Sequence, residues 1–195
     1  VPRSAALLAL ALASCSYSLE DDAAGLRTQI VDLERTVPPE SPLWISEGPN
    51  RFDPFVEDRT PYVPDFIYHH LLRRLHGMGN REPDLEGDFD RAACEKDPAK
   101  FRGRFWRIGG VIADLHPEPV AETQHPVRIA HAGVLFDGSM QPVLFHVVDK
   151  PDVLTLREDT VETKAVFVKI VEYTARNGRK VAAPLFIGKT LRRTL

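Results

Sequence analysis

The chain has 195 residues, of which 43% are hydrophobic and 27% charged, an ordinary balance for a soluble globular chain of one medium domain plus appendages. Charge is uneven: residues 1–100 carry a net −7 and residues 101–195 a net +4. So small a basic excess argues for attraction between the two halves rather than for a nucleic-acid footprint, and no nucleic acid is expected as a partner.

In chain order the first element is a leader. Arg3 supplies a positive end, and Ala5 to Ala13 form an apolar stretch of signal-peptide length, too short to span a bilayer. Small residues, Ala13 and Ser14, then precede Cys15. Leu12-Ala13-Ser14-Cys15 resembles the lipobox of bacterial lipoproteins. The resemblance implies that residues 1–14 are a signal peptide and that the Cys15 thiol takes a diacylglycerol. It places the mature chain in the bacterial cell envelope, membrane-anchored and facing the periplasm. Ser16 in place of Asp favours the outer membrane. Such an anchor holds because each buried methylene contributes about 0.8 kcal/mol and several acyl chains act together. With Cys15 lipidated, Cys94 has no disulfide partner and reads as a small buried apolar residue on a helix.

Residues 19–37 predict a helix, with Leu19, Ala23, Leu26, Ile30, Leu33 and Val37 on one stripe and Pro38-Pro39 as its stop. Seven prolines follow within 38–64, interleaved with Trp44, Phe52, Phe55 and Tyr62. An extended strap docked on a domain surface fits that composition. Asp65 is a potential N-cap for a helix over 66–76, carrying Phe66, Leu71, Leu72 and Leu75 and ending at Gly77. A third helical stretch is expected near 87–96, closed by Pro98.

Strands follow. The first covers 104–113, with Trp106, Ile108 and Ile112 on one face; the second and third cover 127–136 and 142–148, joined across Asp137-Gly138. Residues 151–160 form a loop or short helix. A fourth strand at 161–173 and a fifth at 180–188 are joined at Asn177-Gly178. Three strands, a linker and a two-strand hairpin match the five-stranded oligonucleotide/oligosaccharide-binding (OB) barrel. The expected fold is therefore mainly β with N-terminal helices (α+β), a five-stranded OB-like barrel preceded by a helical and strap segment. Its divisions are 1–14 leader, 15–65 helix and Pro-rich connector, 66–100 helical segment packed on the barrel, and 101–195 barrel.

The run Phe101-Arg102-Gly103-Arg104-Phe105-Trp106-Arg107-Ile108-Gly109-Gly110 is similar to the opening of an uncharacterised OB-like module of bacterial envelope proteins. Val166-Phe167-Val168-Lys169, Tyr173, Asn177-Gly178 and Ala183-Pro184-Leu185-Phe186-Ile187-Gly188 resemble its closing. The likeness covers about 98–191 and departs at Ala165, where the module often has Gly. It implies a fold and an envelope setting, and no activity.

Candidate chemistry is sparse. His69, His70 and His76 share one helix, but neither His-Glu-x-x-His nor Cys-x-x-Cys occurs, and no metal or other cofactor is expected. No Gly-x-Ser-x-Gly, phosphate-cradling loop or paired acidic motif points to catalysis, so no residue is assigned a catalytic role. Arg102, Arg104 and Arg107 interleave with Phe101, Phe105 and Trp106 as in strand-binding barrels, but Trp106 alternates with Ile108 as a core residue would, which assigns the arginines to a solvated face. His146 is the sole interruption of an otherwise apolar strand, and both faces of the second and third strands carry apolar residues. Such a patch needs covering, by the helices at 19–37 and 66–76 or else by a partner or apolar ligand. Gly109-Gly110 reads as a turn or bulge. The candidate ligand-binding residues are His131, His146, Arg107 and Tyr173. The expected function is a lipid-anchored, non-catalytic interaction or scaffolding module with a protein or glycan partner of the envelope. The alternatives are a metal-handling protein or enzyme using strand histidines such as His131 and His146, and a small-ligand binder in the barrel mouth formed by loops 115–126 and 174–180.

Overall fold

The computed structural model describes residues 56–121, 125–174 and 178–194. The leader with Cys15, the helix at 19–37 and the connector through Phe55 lie outside the described residues, as does Asn177 of the last hairpin. The elements are α1 (Asp65–Gly77), α2 (Arg91–Lys96), β1 (Phe105–Pro119), β2 (Ile129–Phe136), β3 (Pro142–Val147), β4 (Thr160–Thr174), β5 (Lys180–Gly188) and β6 (Arg192–Arg193).

The strands run β1-β2-β3-β5-β4, and β1 also pairs with β4, which closes a ring of five. All ring pairings are antiparallel except β3–β5. This is the OB-like arrangement expected from the sequence. Closure depends on the length of β1. Residues Phe105 to Val111 pair with β4 and Val111 to Pro119 with β2, with a register shift between Ile112 and Asp114. Gly109-Gly110 lies inside this strand at the hand-over, not in a turn. A Cβ on Gly110 would stand 2.1 Å from the Phe136 carbonyl oxygen, so the ring closes there only on a bare backbone.

Two apolar cores result from strand alternation. Inside the ring sit Ile112, Leu135, Phe145, Phe167 and Phe186, all essentially inaccessible. Outside it, Ile67, Leu71, Leu72 and Leu75 of α1 pack on Phe105, Ala130, Val166, Leu185 and Ile187. Each fully buried aliphatic side chain there contributes about 1.5–3 kcal/mol. Helix α1 thus covers the apolar outer face. Its first residue is Asp65, which follows Pro64 and makes no side-chain cap. Asp65 stabilises the first turn through its charge, not as an N-cap. Helix α2 is shorter than expected because Asp90 caps it, accepting from the Ala93 N–H at 3.0 Å.

Strand β4 bulges between Phe167 and Lys169, letting Phe167 and Ile170 both reach the ring interior. The strap residues dock where the bulge frees backbone groups. Asp58 accepts from Ile170 N–H at 2.8 Å, and Arg59 N–H donates to Ile170 O at 2.7 Å. The buried Arg102 guanidinium joins the same carboxylate at 2.9 Å and the Val168 carbonyl at 2.6 Å. Lys169 is buried too, donating to Thr60 Oγ1 at 2.6 Å and Tyr62 O at 2.7 Å. Burial pushes its pKa down to about 8.

Candidate functional site

The four sequence-derived residues do not converge. Opposed residues of an antiparallel pair share a face, and His131 faces Val147 whereas His146 faces Ala132. The two histidines therefore project from opposite faces of the sheet. Arg107 stands opposite Lys164 near the start of β4, and Tyr173 near its end, opposite Val181. The Arg107 guanidinium is bound to Asp88 at 3.0 Å and lies 3.7 Å from Glu162. Burial raises the pKa of Tyr173, and burial with the nearby Lys150 charge lowers that of His131. The arginine–aromatic patch also separates. Arg102 anchors the strap, Arg104 pairs with Glu86 at 3.1 Å, and Trp106 stacks on Phe101 with ring centres 4.7 Å apart.

His146 occupies the outer face of β3, beneath α1. Its Nδ1 lies 2.9 Å from the Tyr68 hydroxyl and 3.5 Å from Glu118 Oε2. Burial first, and Glu118 second, keep the phenol protonated by raising its pKa, so it donates to Nδ1. Burial pushes the His146 pKa down to about 4, and raises that of Glu118. Glu118 Oε2 is buried without a hydrogen-bond partner, consistent with a carboxyl that resists ionising. Beside this group His125 is fully engaged. Its Nε2 donates to the His69 carbonyl at 3.0 Å, and its Nδ1 accepts from Val127 N–H at 3.1 Å. Histidines locked in this way fasten α1 to β3 and to the loop before β2. Among the described residues no group of three His, Cys, Asp or Glu side chains is placed to hold a metal ion. Cys94 is buried on α2, and burial pushes its thiol up to about 12.

A ligand-sized concavity lies at the opposite end of β4 from the expected barrel mouth. Helix α1 stops at Gly77, and the chain turns through Gly79 in the left-handed conformation (φ +57°). On the other side β5 ends at Gly188, opposite Ala165, and the chain rejoins β4 only as β6, at Glu162 and Val161. Thr163 and Lys164 fall in the gap. The resulting cleft is about 200 Å³, with Leu75, Met78 and Phe105 as its apolar wall. Charged groups form the remainder. Glu82 is hydrogen-bonded to Lys164 Nζ and lies 3.2 Å from Arg192 Nη2, while Lys189 bonds Asp149 at 3.0 Å. Lys164, chiefly through that hydrogen bond, and Arg192 hold the Glu82 carboxyl below the usual range. Thr163, opposite Ile108, is 3% exposed and turns its side chain to the ring interior, away from Lys164. Sequence reasoning missed this site because Glu82, Lys164 and Arg192 are isolated charges until the ring and the end of α1 bring them together.

No protein-family model matches the sequence, and no curated protein is similar to it. Among solved structures the chain is similar to a mitochondrial single-stranded DNA binding protein from S. cerevisiae, Rim1. Identity is 12% and the TM-score 0.29, over 46% of this chain and 92% of that one. One expectation is thereby corrected. Nucleic acid was excluded on the small basic excess, yet a single-stranded DNA binding protein is among the structures this chain resembles, and the exclusion is withdrawn. The OB-like assignment itself rests on the strand order of the ring.

Proposed function

We propose that this chain is a lipid-tethered, non-catalytic binding module of the bacterial cell envelope, with the OB-like ring as its rigid platform. The observation that carries the binding reading is the division of labour in the fold. The ring interior is filled by Phe145, Phe167 and Phe186, while a cleft of mixed apolar and charged character opens on its outside. The groups with reactive potential are committed to structure: His125 and His146 to hydrogen bonds, Cys94 to a protonated buried thiol. The tether reading is supported by Leu12-Ala13-Ser14-Cys15 alone.

Metabolic labelling with an alkyne fatty acid tests the tether. The wild-type chain should be labelled and sediment with membranes, and Cys15→Ser should be unlabelled and soluble. An unlabelled, soluble wild-type chain refutes the envelope assignment.

A further inference from the structure

We propose that the cleft between the end of α1 and β6 is a binding site for a small organic anion, and that the Glu82 carboxylate is its internal stand-in. The proposal gives a ligand class to the binding-module reading and rests on that reading, but not on the lipid tether.

Two features point to this chemistry. The first is the carboxylate already seated there: Glu82 reaches Lys164 and Arg192, two cations from separate elements that converge on one acidic group. Its own side chain is half exposed, on the turn that follows α1. Exposed ion pairs of this kind hold weakly, so a competing anion displaces Glu82 into water at little cost. The second is the apolar wall of Leu75, Met78 and Phe105 beside those cations. A cavity of roughly 150 Å³ lined by apolar side chains holds a benzene ring. At about 200 Å³, this cleft has room for a ring and its anionic group. A carboxylate or a phosphomonoester on an aromatic or aliphatic body satisfies both.

The chain contains two methionines, which makes the test direct. Met78 lines the cleft, and Met140 is 68% exposed on the turn between β2 and β3. With methyl-labelled methionine in the full chain, titration with benzoate or phenyl phosphate should move the Met78 signal saturably and leave Met140 still. Whichever of the two probes binds more tightly identifies the anionic group, and benzyl alcohol should bind at least tenfold more weakly than either. Glu82→Gln removes the internal competitor while keeping the side-chain volume. It should tighten anion binding by up to about fivefold, the upper end of what an exposed ion pair contributes. Lys164→Gln/Arg192→Gln should weaken it at least tenfold. The proposal is overturned if neither anion moves Met78 selectively, if benzyl alcohol binds as well, or if Glu82→Gln leaves affinity unchanged or lowers it. An unshifted Met140 signal in each variant confirms that the fold is intact.

Discussion

Acidification should loosen the junction between α1 and the ring, and His146 is one of the histidines that set the effect. In the unfolded chain its imidazole takes a proton near pH 6.5, whereas in the folded chain burial holds the pKa down to about 4. Between those values the unfolded state binds the extra proton and the folded state does not, so stability falls as pH falls and levels off below about pH 4. A difference of about 2.5 units corresponds to about 3 kcal/mol at 1.36 kcal/mol per unit. Glu118 opposes part of this. Its raised pKa means that protonation relieves a burial penalty, so its contribution favours the folded state at low pH and is lost as pH rises. His70, whose pKa burial and then Arg74 and Arg73 push down to about 4, adds its own acid sensitivity. The His146 share is isolated by a Tyr68→Phe/His146→Leu double substitution, which removes both partners of the hydrogen bond and so leaves neither of them unpaired. Urea unfolding from pH 7.5 to 4.5 should show the wild-type chain losing up to about 3 kcal/mol more than the double variant. Parallel pH profiles for the two chains would refute the assignment of a neutral, buried His146.

Other perturbations report on other parts of the fold. Gly110→Ala places a Cβ 2.1 Å from the Phe136 carbonyl at the hand-over of β1, and should cost about 3 kcal/mol in a urea midpoint measurement, the upper range for overpacking. Asp58→Ala takes the carboxylate from the buried Arg102 guanidinium and from Ile170 N–H, with an expected loss of about 3–5 kcal/mol. Asp58→Asn, which retains an acceptor for Ile170 N–H, should lose less by the same assay. In a Cys15→Ser background the remaining thiol, Cys94, should be silent to a disulfide reagent at pH 8 and titrate fully in urea, because burial holds it protonated. Rapid native reaction would contradict its placement.

Strand order was legible because each strand carries a local signal. Period-two alternation, β-branched runs and the Asp137-Gly138 turn chemistry are properties of a few neighbouring residues. The Asp137 turn succeeds for a reason visible only in the structure: the carboxylate accepts from both Ser139 N–H and Gln141 N–H and sets a five-residue loop with Met140 at φ 56°. Long β1 was read short, since its second half is amphipathic only after the shift at Ile112, where the faces exchange. β6 escaped notice because two arginines carry no strand signal; their pairing is decided by the exposed edge of β4. Arg102 was assigned to a solvated face, and its burial follows from Asp58, forty-four positions away in sequence. The surroundings of the site residues were hidden in the same manner. His146 was singled out by its apolar neighbours, but its partners Tyr68 and Glu118 come from a helix and a different strand.

The surroundings of His146 and the cleft share one cause, the placement of α1. An apolar outer face on β2 and β3 requires a cover, and sequence periodicity offers a helix of suitable pattern without saying where it lies. Once α1 settles across the ring, three consequences are fixed together. Tyr68 meets His146, the burial of both groups follows, and the end of the helix at Gly77 stands opposite the gap between β5 and β6. The cleft is therefore a by-product of covering the sheet: its apolar wall is the last turn of α1, the turn beyond it and Phe105 at the start of β1, and its charges are those of the turn and of the strands beside it. A helix one turn longer would fill it, and a β5 that continued into β6 would close it. The acid sensitivity of the junction and the anion affinity of the cleft thus depend on a single docking event, and a substitution that loosens α1, such as Leu72→Ala, should weaken both at once.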